Sequence, residues 1–118
     1  MIAAIRRFLR RVKEGPEPVP CEIEPLESER GFRLSGDLDL YTVEAVREVL
    51  LPELHGTLVL DVGGVGFMDD SGLGLLVGSI KRLRQGGGTL VLRNPTPDIR
   101  RILEMTGIER VPGLTIEP

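Results

Sequence analysis

Two short runs of β-branched and aliphatic residues constrain the fold of this chain most. "TLVLDV" (57–62) is almost continuously apolar, as expected of a central strand covered on both faces, and "TLVLRN" (89–94) predicts a second buried strand. Between them, apolar residues recur at helical spacing from about Ser71 to Gln85, and the glycines at 86–88 end the pattern. A strand, a helix and a second strand predict two parallel strands joined by a right-handed crossover.

The flanking segments predict further strands. Residues 21–27 and 31–36 alternate between apolar and polar side chains, and the turn at Ser28–Gly31 between them predicts a hairpin. The tail that begins at Ile108 predicts one last short strand.

Two more helices are predicted in the remaining connections. Thr42 suits the N-cap of a helix that Pro52 shortens, and Thr96 and Gly107 suit the start and end of another. Strands that alternate with helices predict a single α/β domain over residues 21–118. Its sheet is expected to be mixed, mostly parallel, of about four to five strands and flanked by helices.

The first 20 residues have a different pattern. Apolar residues at helical spacing are interleaved with basic ones over residues 1–13, which predicts a short amphipathic helix. Three prolines within residues 14–20 predict a linker, because proline cannot continue a helix. The basic helix could lie on an anionic membrane surface, pack on a partner or dock on its own domain, and the sequence leaves these three open.

The charge distribution argues against a nucleic-acid-binding role. Five basic residues within the first 13 leave 10 basic and 18 acidic residues, a net charge of −8, for positions 14–118. Nucleic-acid-binding domains normally present a basic face, and a chain with 3% aromatic residues offers few stacking platforms. Because Cys21 is the only cysteine and no apolar run is long enough to span a bilayer, a cytoplasmic protein is expected, peripheral to a membrane if residues 1–13 bind one.

No catalytic, metal or cofactor site is predicted. The stretch "GGVGFMDDSG" (63–72) predicts a loop, and it lacks the Gly-Lys-Ser/Thr ending of a P-loop and the third glycine of a dinucleotide fingerprint. Asp37 and Asp39 are spaced like a phosphoryl-transfer pair, but the chain is too short for the partner motifs of such enzymes, so Asp39 is expected to brace or cap its loop. His55 has no nucleophile-elbow serine to serve and is expected at the surface.

The start of the long helix is the most informative position. In "MDDSG" (68–72), Asp69 or Asp70 suits the N-cap, where a carboxylate accepts hydrogen bonds from free backbone N–H groups. A hydroxyl such as that of Ser71 also suits a regulatory phosphate, which adds roughly −1.5 to −2 charge units at the positive end of the helix dipole. The residue types alone allow either a cap or a switch.

From Gly36 to about Val111 the sequence resembles the STAS domain of bacterial anti-sigma-factor antagonists. The resemblance rests on "GDLDLYTVEAVREVL" and on "FMDDSGLG" followed by a helix, a glycine stop and "TLVL". It implies the STAS fold and a protein-binding switch rather than an enzyme. In that family an unphosphorylated antagonist binds an anti-sigma factor that is also a serine kinase, and phosphorylation at the start of this helix breaks the complex. Because the kinase holds the ATP, the antagonist needs no cofactor.

The family motif, Met-Asp-Ser-Ser/Thr-Gly-Leu-Gly, implies a changed switch in this chain. Met68 and Asp69 match it, Asp70 falls at the position of the phosphorylated hydroxyl, and Ser71 falls at the next, normally unmodified position. Either Asp70 imitates a phosphate permanently or Ser71 receives the phosphate instead. Because one step along a helix rotates a side chain by about 100°, we favour an unswitched or differently switched domain over phosphorylation of Ser71.

The resemblance also implies where a partner binds. Asp37 and Asp39 in one loop, Asp69 and Gly72 at the helix junction, and the exposed face of that helix are expected to contact an anti-sigma factor or serine kinase of the same pathway. The alternative is a STAS accessory or scaffold subunit of a membrane-associated transport or signalling assembly, with residues 1–13 as its anchor.

Overall fold

Five strands form one sheet in the part of the chain that the structure, a computed structural model, describes, which is residues 20–118. They are β1 (Glu22–Pro25), β2 (Gly31–Leu38), β3 (Thr57–Met68), β4 (Thr89–Arg93) and β5 (Leu114–Glu117). Their order in the sheet follows their order in the chain. β1 is antiparallel to β2, and the other neighbours are parallel, so the predicted mixed, mostly parallel sheet and the predicted hairpin are confirmed.

The N-terminal predictions fall on residues that the structure does not describe. The predicted helix over residues 1–13 and the predicted linker over 14–20, apart from Pro20, lie outside the described residues. From residue 20 onwards, no helix is both long enough and apolar enough to cross a membrane.

Three α-helices connect the parallel strands. They are α1 (Val43–Leu50), α2 (Asp70–Gln85) and α3 (Pro97–Thr106), and single 3-10 turns follow α1 (Leu51–Glu53) and α3 (Ile108–Arg110). Right-handed crossovers between strands taken in sequence place all three helices on the same face of the sheet. Their buried side chains form one core with Leu58 and Leu60 of β3, whereas Val59 is buried on the opposite face.

The ends of the helices follow the predicted signals closely. Thr96 caps α3 by accepting a hydrogen bond from the Ile99 N–H at 3.3 Å, and Gly107 ends it with a φ of 77°, a left-handed conformation that favours glycine. Pro52 lies in the 3-10 turn that follows α1, which confirms that this helix is short.

β3 is longer than the sequence predicts. The expectation of a loop over residues 63–68 is wrong, because the strand continues to Met68. Two register shifts between β2 and β3 each give β3 one extra residue, so bulges accommodate this stretch within the sheet. A Cβ at Gly64 would lie 2.8 Å from Ser35 Oγ and 3.2 Å from the Leu34 carbonyl oxygen. Gly64, one member of the glycine pattern that predicts a loop, therefore allows the two strands to approach closely.

The sheet face opposite the helices is covered by charged side chains. One row, paired in register across all five strands, alternates in sign: Glu24, Arg33, Asp61, Arg93 and Glu117. Arg93 Nε donates to Glu117 Oε1 at 2.8 Å, and the same guanidinium donates to Glu29, which holds the pKa of Glu29 below its usual range. Residues 58–62 of β3 are thus buried on both faces, as predicted, although in the described chain only one face carries helices.

Candidate functional site

The candidate site lies at the edge of the sheet where β2 and β3 end. In the register of these two strands, Asp37 pairs with Phe67 and Leu38 pairs with Met68. Asp39 follows the end of β2, and Asp69 follows the end of β3. The two aspartates therefore lie beside each other, each at the start of its own connection. The fold brings together the loop and the helix junction that the sequence analysis identified separately.

Asp69 joins these two segments. As the N-cap of α2, it accepts hydrogen bonds at Oδ1 from the N–H groups of Ser71 (2.8 Å) and Gly72 (3.1 Å). Its Oδ2 accepts from the Leu40 N–H at 3.0 Å, and its own N–H donates to the Leu38 carbonyl at 3.3 Å. One carboxylate thus caps a helix and holds the neighbouring loop in place.

Asp39 organises the loop between β2 and α1, as expected. Its Oδ1 accepts hydrogen bonds from the N–H groups of Tyr41 (2.9 Å) and Thr42 (3.2 Å), and the residue is buried. Thr42 Oγ1 accepts from the Asp39 N–H at 3.0 Å and donates to the Asp37 carbonyl at 2.8 Å. Thr42 occupies the N-cap position of α1, as predicted, and its hydroxyl makes no capping bond because it is engaged in the loop.

Gly72 allows α2 to begin directly against the ends of β2 and β3. A Cβ at this buried position would lie 2.5 Å from the Leu38 carbonyl oxygen and 2.7 Å from Met68 Cγ, closer than real side chains approach. The structure gives Gly72 a packing role. Contact of Gly72 with a partner stays a prediction.

The predicted site residues differ in their exposure. Asp70, the first residue of α2, is exposed, whereas Asp37, Asp69 and Ser71 are half-buried. The charge of Asp70 lies at the positive end of the α2 dipole, which stabilises a carboxylate or a phosphate there. Asp70 is therefore the most accessible of the charged groups proposed for this site.

Three large apolar side chains are exposed in the same two segments as the aspartates, and the sequence analysis missed them. The exposed fractions are 67% for Leu40, 55% for Tyr41 and 51% for Phe67. Exposed apolar side chains that cluster at one place mark interaction surfaces more often than side chains scattered singly. A signal was available, because Leu40 and Tyr41 interrupt a polar loop between Asp39 and the start of α1.

In the described part of the chain, the titratable groups do not form a metal-binding cluster. Across residues 20–118 no three His, Cys, Asp or Glu side chains are placed to hold a metal ion, and His55 is exposed. Burial raises the pKa of the Cys21 thiol to about 12, with a further contribution from the negative charge of Asp39, so the thiol stays protonated and inert. What the site offers is a surface of carboxylates and apolar side chains suited to binding.

Comparison with known proteins identifies the family. The family model described as the STAS domain matches residues 22–118. The chain belongs to the STAS domain family. Its STAS domain is 29% identical to the anti-sigma-B factor antagonist of Bacillus subtilis (strain 168) over 95 residues, which are 79% of this chain and 87% of the relative. It is 34% identical over 93 residues to the anti-sigma F factor antagonist of Paenibacillus polymyxa, covering 73% of this chain and 80% of the relative.

A solved structure supports the same assignment. The STAS domain is similar to the Bacillus cell fate determinant SpoIIAA in its phosphorylated form, with a TM-score of 0.62 and 28% identity. The similarity covers 81% of this chain and 89% of that structure. The STAS fold implied by "FMDDSGLG" and its surroundings is therefore confirmed.

Proposed function

We propose that this STAS domain is an anti-sigma-factor antagonist that acts in the cytoplasm by binding a serine-kinase anti-sigma factor, without catalysis of its own. The two relatives described above are named as antagonists of anti-sigma factors. The chemistry of the site agrees with that role, because it combines exposed apolar side chains with fixed carboxylates.

The shared carboxylate of Asp69 is the observation that carries this proposal. It connects Leu40 to the start of α2, so that the β2–α1 loop and the helix junction form one preorganised surface. A surface that is already ordered binds without the entropic cost of fixing its loops. Leu40, Tyr41 and Phe67 supply the apolar contacts, while Asp39 and Gly72 hold the shape from inside.

Asp70 sets the binding state in this proposal. Its carboxylate puts one negative charge at the start of α2, where a phosphoserine would put about −1.5 to −2 units. The effect on a partner has the same sign as that of phosphorylation and a smaller size. The half-buried Ser71, whose N–H is bound to Asp69, is less accessible to a kinase than Asp70 is.

Binding to candidate serine-kinase anti-sigma factors tests the role of Asp70. We expect the Asp70→Ser variant to bind the cognate factor about tenfold more tightly than wild type, because a repulsive charge is removed from the interface. Titration calorimetry measures both affinities. Glu104→Ser is the matched control, because Glu104 is an exposed acid near the C-terminal end of α3. We expect no change in its affinity. If neither wild type nor Asp70→Ser binds any candidate, the proposed function is wrong.

Incubation with the cognate kinase and ATP separates Asp70 from Ser71. Phosphopeptide mass spectrometry is expected to find no phosphate on wild type and a phosphate at position 70 of the Asp70→Ser variant. A phosphate on Ser71 of wild type would leave the binding role intact and contradict the role given to Asp70.

A further inference from the structure

The described chain begins at the candidate site. The Pro20 carbonyl oxygen packs so closely on Gly36 that an added Cβ would lie 1.7 Å from it. Gly36 precedes Asp37, and Asp37 pairs with Phe67 on the next strand. Because neighbouring strands are about 4.8 Å apart, Pro20 lies roughly 10 Å from Phe67, or two strand spacings. Pro20, to which residues 1–19 are joined, therefore lies near Phe67 of the site.

The two loops of this edge are acidic, and Arg101, which lies beside Phe67, is accompanied there by Asp98. Positions 34–46 and 62–80, which include both loops of the site, contain four aspartates and Glu44 but no Lys, Arg or His. Charges of one sign that are concentrated on one part of a surface attract a segment of opposite charge. The edge thus combines a negative potential with the exposed side chains of Leu40, Tyr41 and Phe67.

The first 13 residues have the complementary chemistry. They contain five basic residues and no acidic one, and their apolar residues include four at helical spacing: Ile2, Ile5, Leu9 and Val12. The predicted proline-rich linker over residues 14–20 would span up to roughly 20 Å if extended, at about 3.1 Å per residue. That length reaches every part of the edge around Phe67.

We propose that residues 1–13 dock on this edge of their own domain, with their basic side chains facing the aspartates and their apolar side chains on Leu40, Tyr41 and Phe67. The tether favours this occupant over others, because a short linker gives an effective concentration in the millimolar range. The docked segment covers the surface that a partner needs and competes with it. The competition rests on the proposed function, whereas the docking does not.

A spin-label experiment on the full chain without any partner tests the docking. A nitroxide is attached through an Ala4→Cys substitution, and the buried Cys21 of wild type serves as the reagent control. We expect the amide signals of Leu40, Tyr41 and Phe67 to broaden, and those of residues 81–85 to stay sharp. The latter lie at the far end of α2, about 20 Å away from its start at 1.5 Å per residue.

Charge reversal provides the matched variants. The triple variant R6E/R7E/R10E is expected to lose the broadening, whereas K81E/R82E/R84E, with the same change in net charge at three exposed positions of α2, is expected to keep it. The proposal is overturned if the broadening survives R6E/R7E/R10E or appears at residues 81–85. It is equally overturned if the signals broaden only when spin-labelled copies are mixed with copies that carry no spin label. That result identifies a second copy as the occupant. Sharp signals in solution together with flotation on anionic vesicles would identify a membrane and overturn it as well.

Partner affinity tests the competition separately. If docking occupies about nine tenths of the molecules, R6E/R7E/R10E binds the cognate anti-sigma factor about tenfold more tightly than wild type. The control for this measurement is Arg110→Glu, at an exposed position of the 3-10 turn after α3 and outside the proposed binding surface, and it is expected to bind as wild type does. Broadening in the free protein with unchanged partner affinity would keep the docking and reject the competition. Failure of every form to bind a partner would reject the proposed function and leave the spin-label result unaffected.

Discussion

The helices α2 and α3 begin with similar local chemistry and are used differently. Each has a side-chain cap, Asp69 or Thr96, and an exposed aspartate in its first turn, Asp70 or Asp98. In the cap of α3, the Thr96 hydroxyl accepts a hydrogen bond from the Ile99 N–H of the same helix. The carboxylate of Asp69 accepts hydrogen bonds from the Ser71 N–H of its own helix and from the Leu40 N–H in the loop after β2.

The difference shows that a helix cap can position a functional surface. A threonine hydroxyl offers one oxygen, whereas a carboxylate offers two, and the second oxygen of Asp69 is free to reach another segment. The third residues of the two helices also have different roles. In α3, Ile99 fills the core, whereas in α2, Gly72 makes room for β2. The start of α2 depends on its surroundings, and the start of α3 is nearly self-contained.

The largest effect is expected where α2 touches β2. Gly72→Val is predicted to destabilise the domain by at least about 3 kcal/mol, because the contact 2.5 Å from the new Cβ is the Leu38 backbone carbonyl, which cannot move aside like a side chain. Urea denaturation followed by circular dichroism measures the change.

A second glycine of α2 is the control for that prediction. Gly74 has no heavy atom within 4 Å of an added Cβ, so Gly74→Ala is predicted to stabilise the domain by about 1 kcal/mol through helix propensity. If Gly72→Val is no more destabilising than a surface substitution, the close approach of α2 to β2 is wrong.

Removal of the shared cap is expected to have the next largest effect. Asp69→Ala is predicted to cost about 2 kcal/mol, because it removes the helix cap and also the bond to the Leu40 N–H. Asp69→Asn separates the two roles. Its amide oxygen still caps α2, but its NH2 group faces the Leu40 N–H, so that bond is lost.

Hydrogen exchange measured by NMR distinguishes these outcomes. In Asp69→Ala the amides of Leu40, Ser71 and Gly72 should all exchange faster, and in Asp69→Asn only that of Leu40 should do so. Equal protection of the Leu40 amide in wild type and both variants would show that Asp69 caps its helix without holding the loop.

Much of the fold could be predicted because its signals are local. The buried runs at 57–62 and 89–94, the caps at Thr96 and Gly107, and the helical spacing of α2 each depend on residues close in the chain. The bulged end of β3 could not be predicted in this way. Gly64 is needed there because Ser35 and Leu34 of another strand lie against it, a contact that the local pattern does not contain.

The site was predictable in its members but not in its connections. Asp39 and Asp69 were identified from their positions in loops, and their residue types suit caps. The bond from the Leu40 N–H to Asp69 joins residues 29 positions apart, so it follows only from the register of β2 and β3. Tyr41 and Phe67 lie close to the ends of the same two strands. Their exposure therefore also depends on the sheet edge and not on the local sequence.

The smallest effect is expected at the cap of α3, and it completes the comparison. Thr96→Ala removes one hydrogen bond to the Ile99 N–H and is predicted to cost about 1 kcal/mol, the usual value for a local cap. Amide exchange should accelerate in the first turn of α3 while the Leu40 amide keeps its wild-type protection. Affinity for the cognate anti-sigma factor should fall in Asp69→Ala and stay unchanged in Thr96→Ala, because only Asp69 shapes the surface that binds. If Thr96→Ala weakens binding as much as Asp69→Ala does, general stability rather than the shared carboxylate controls that surface.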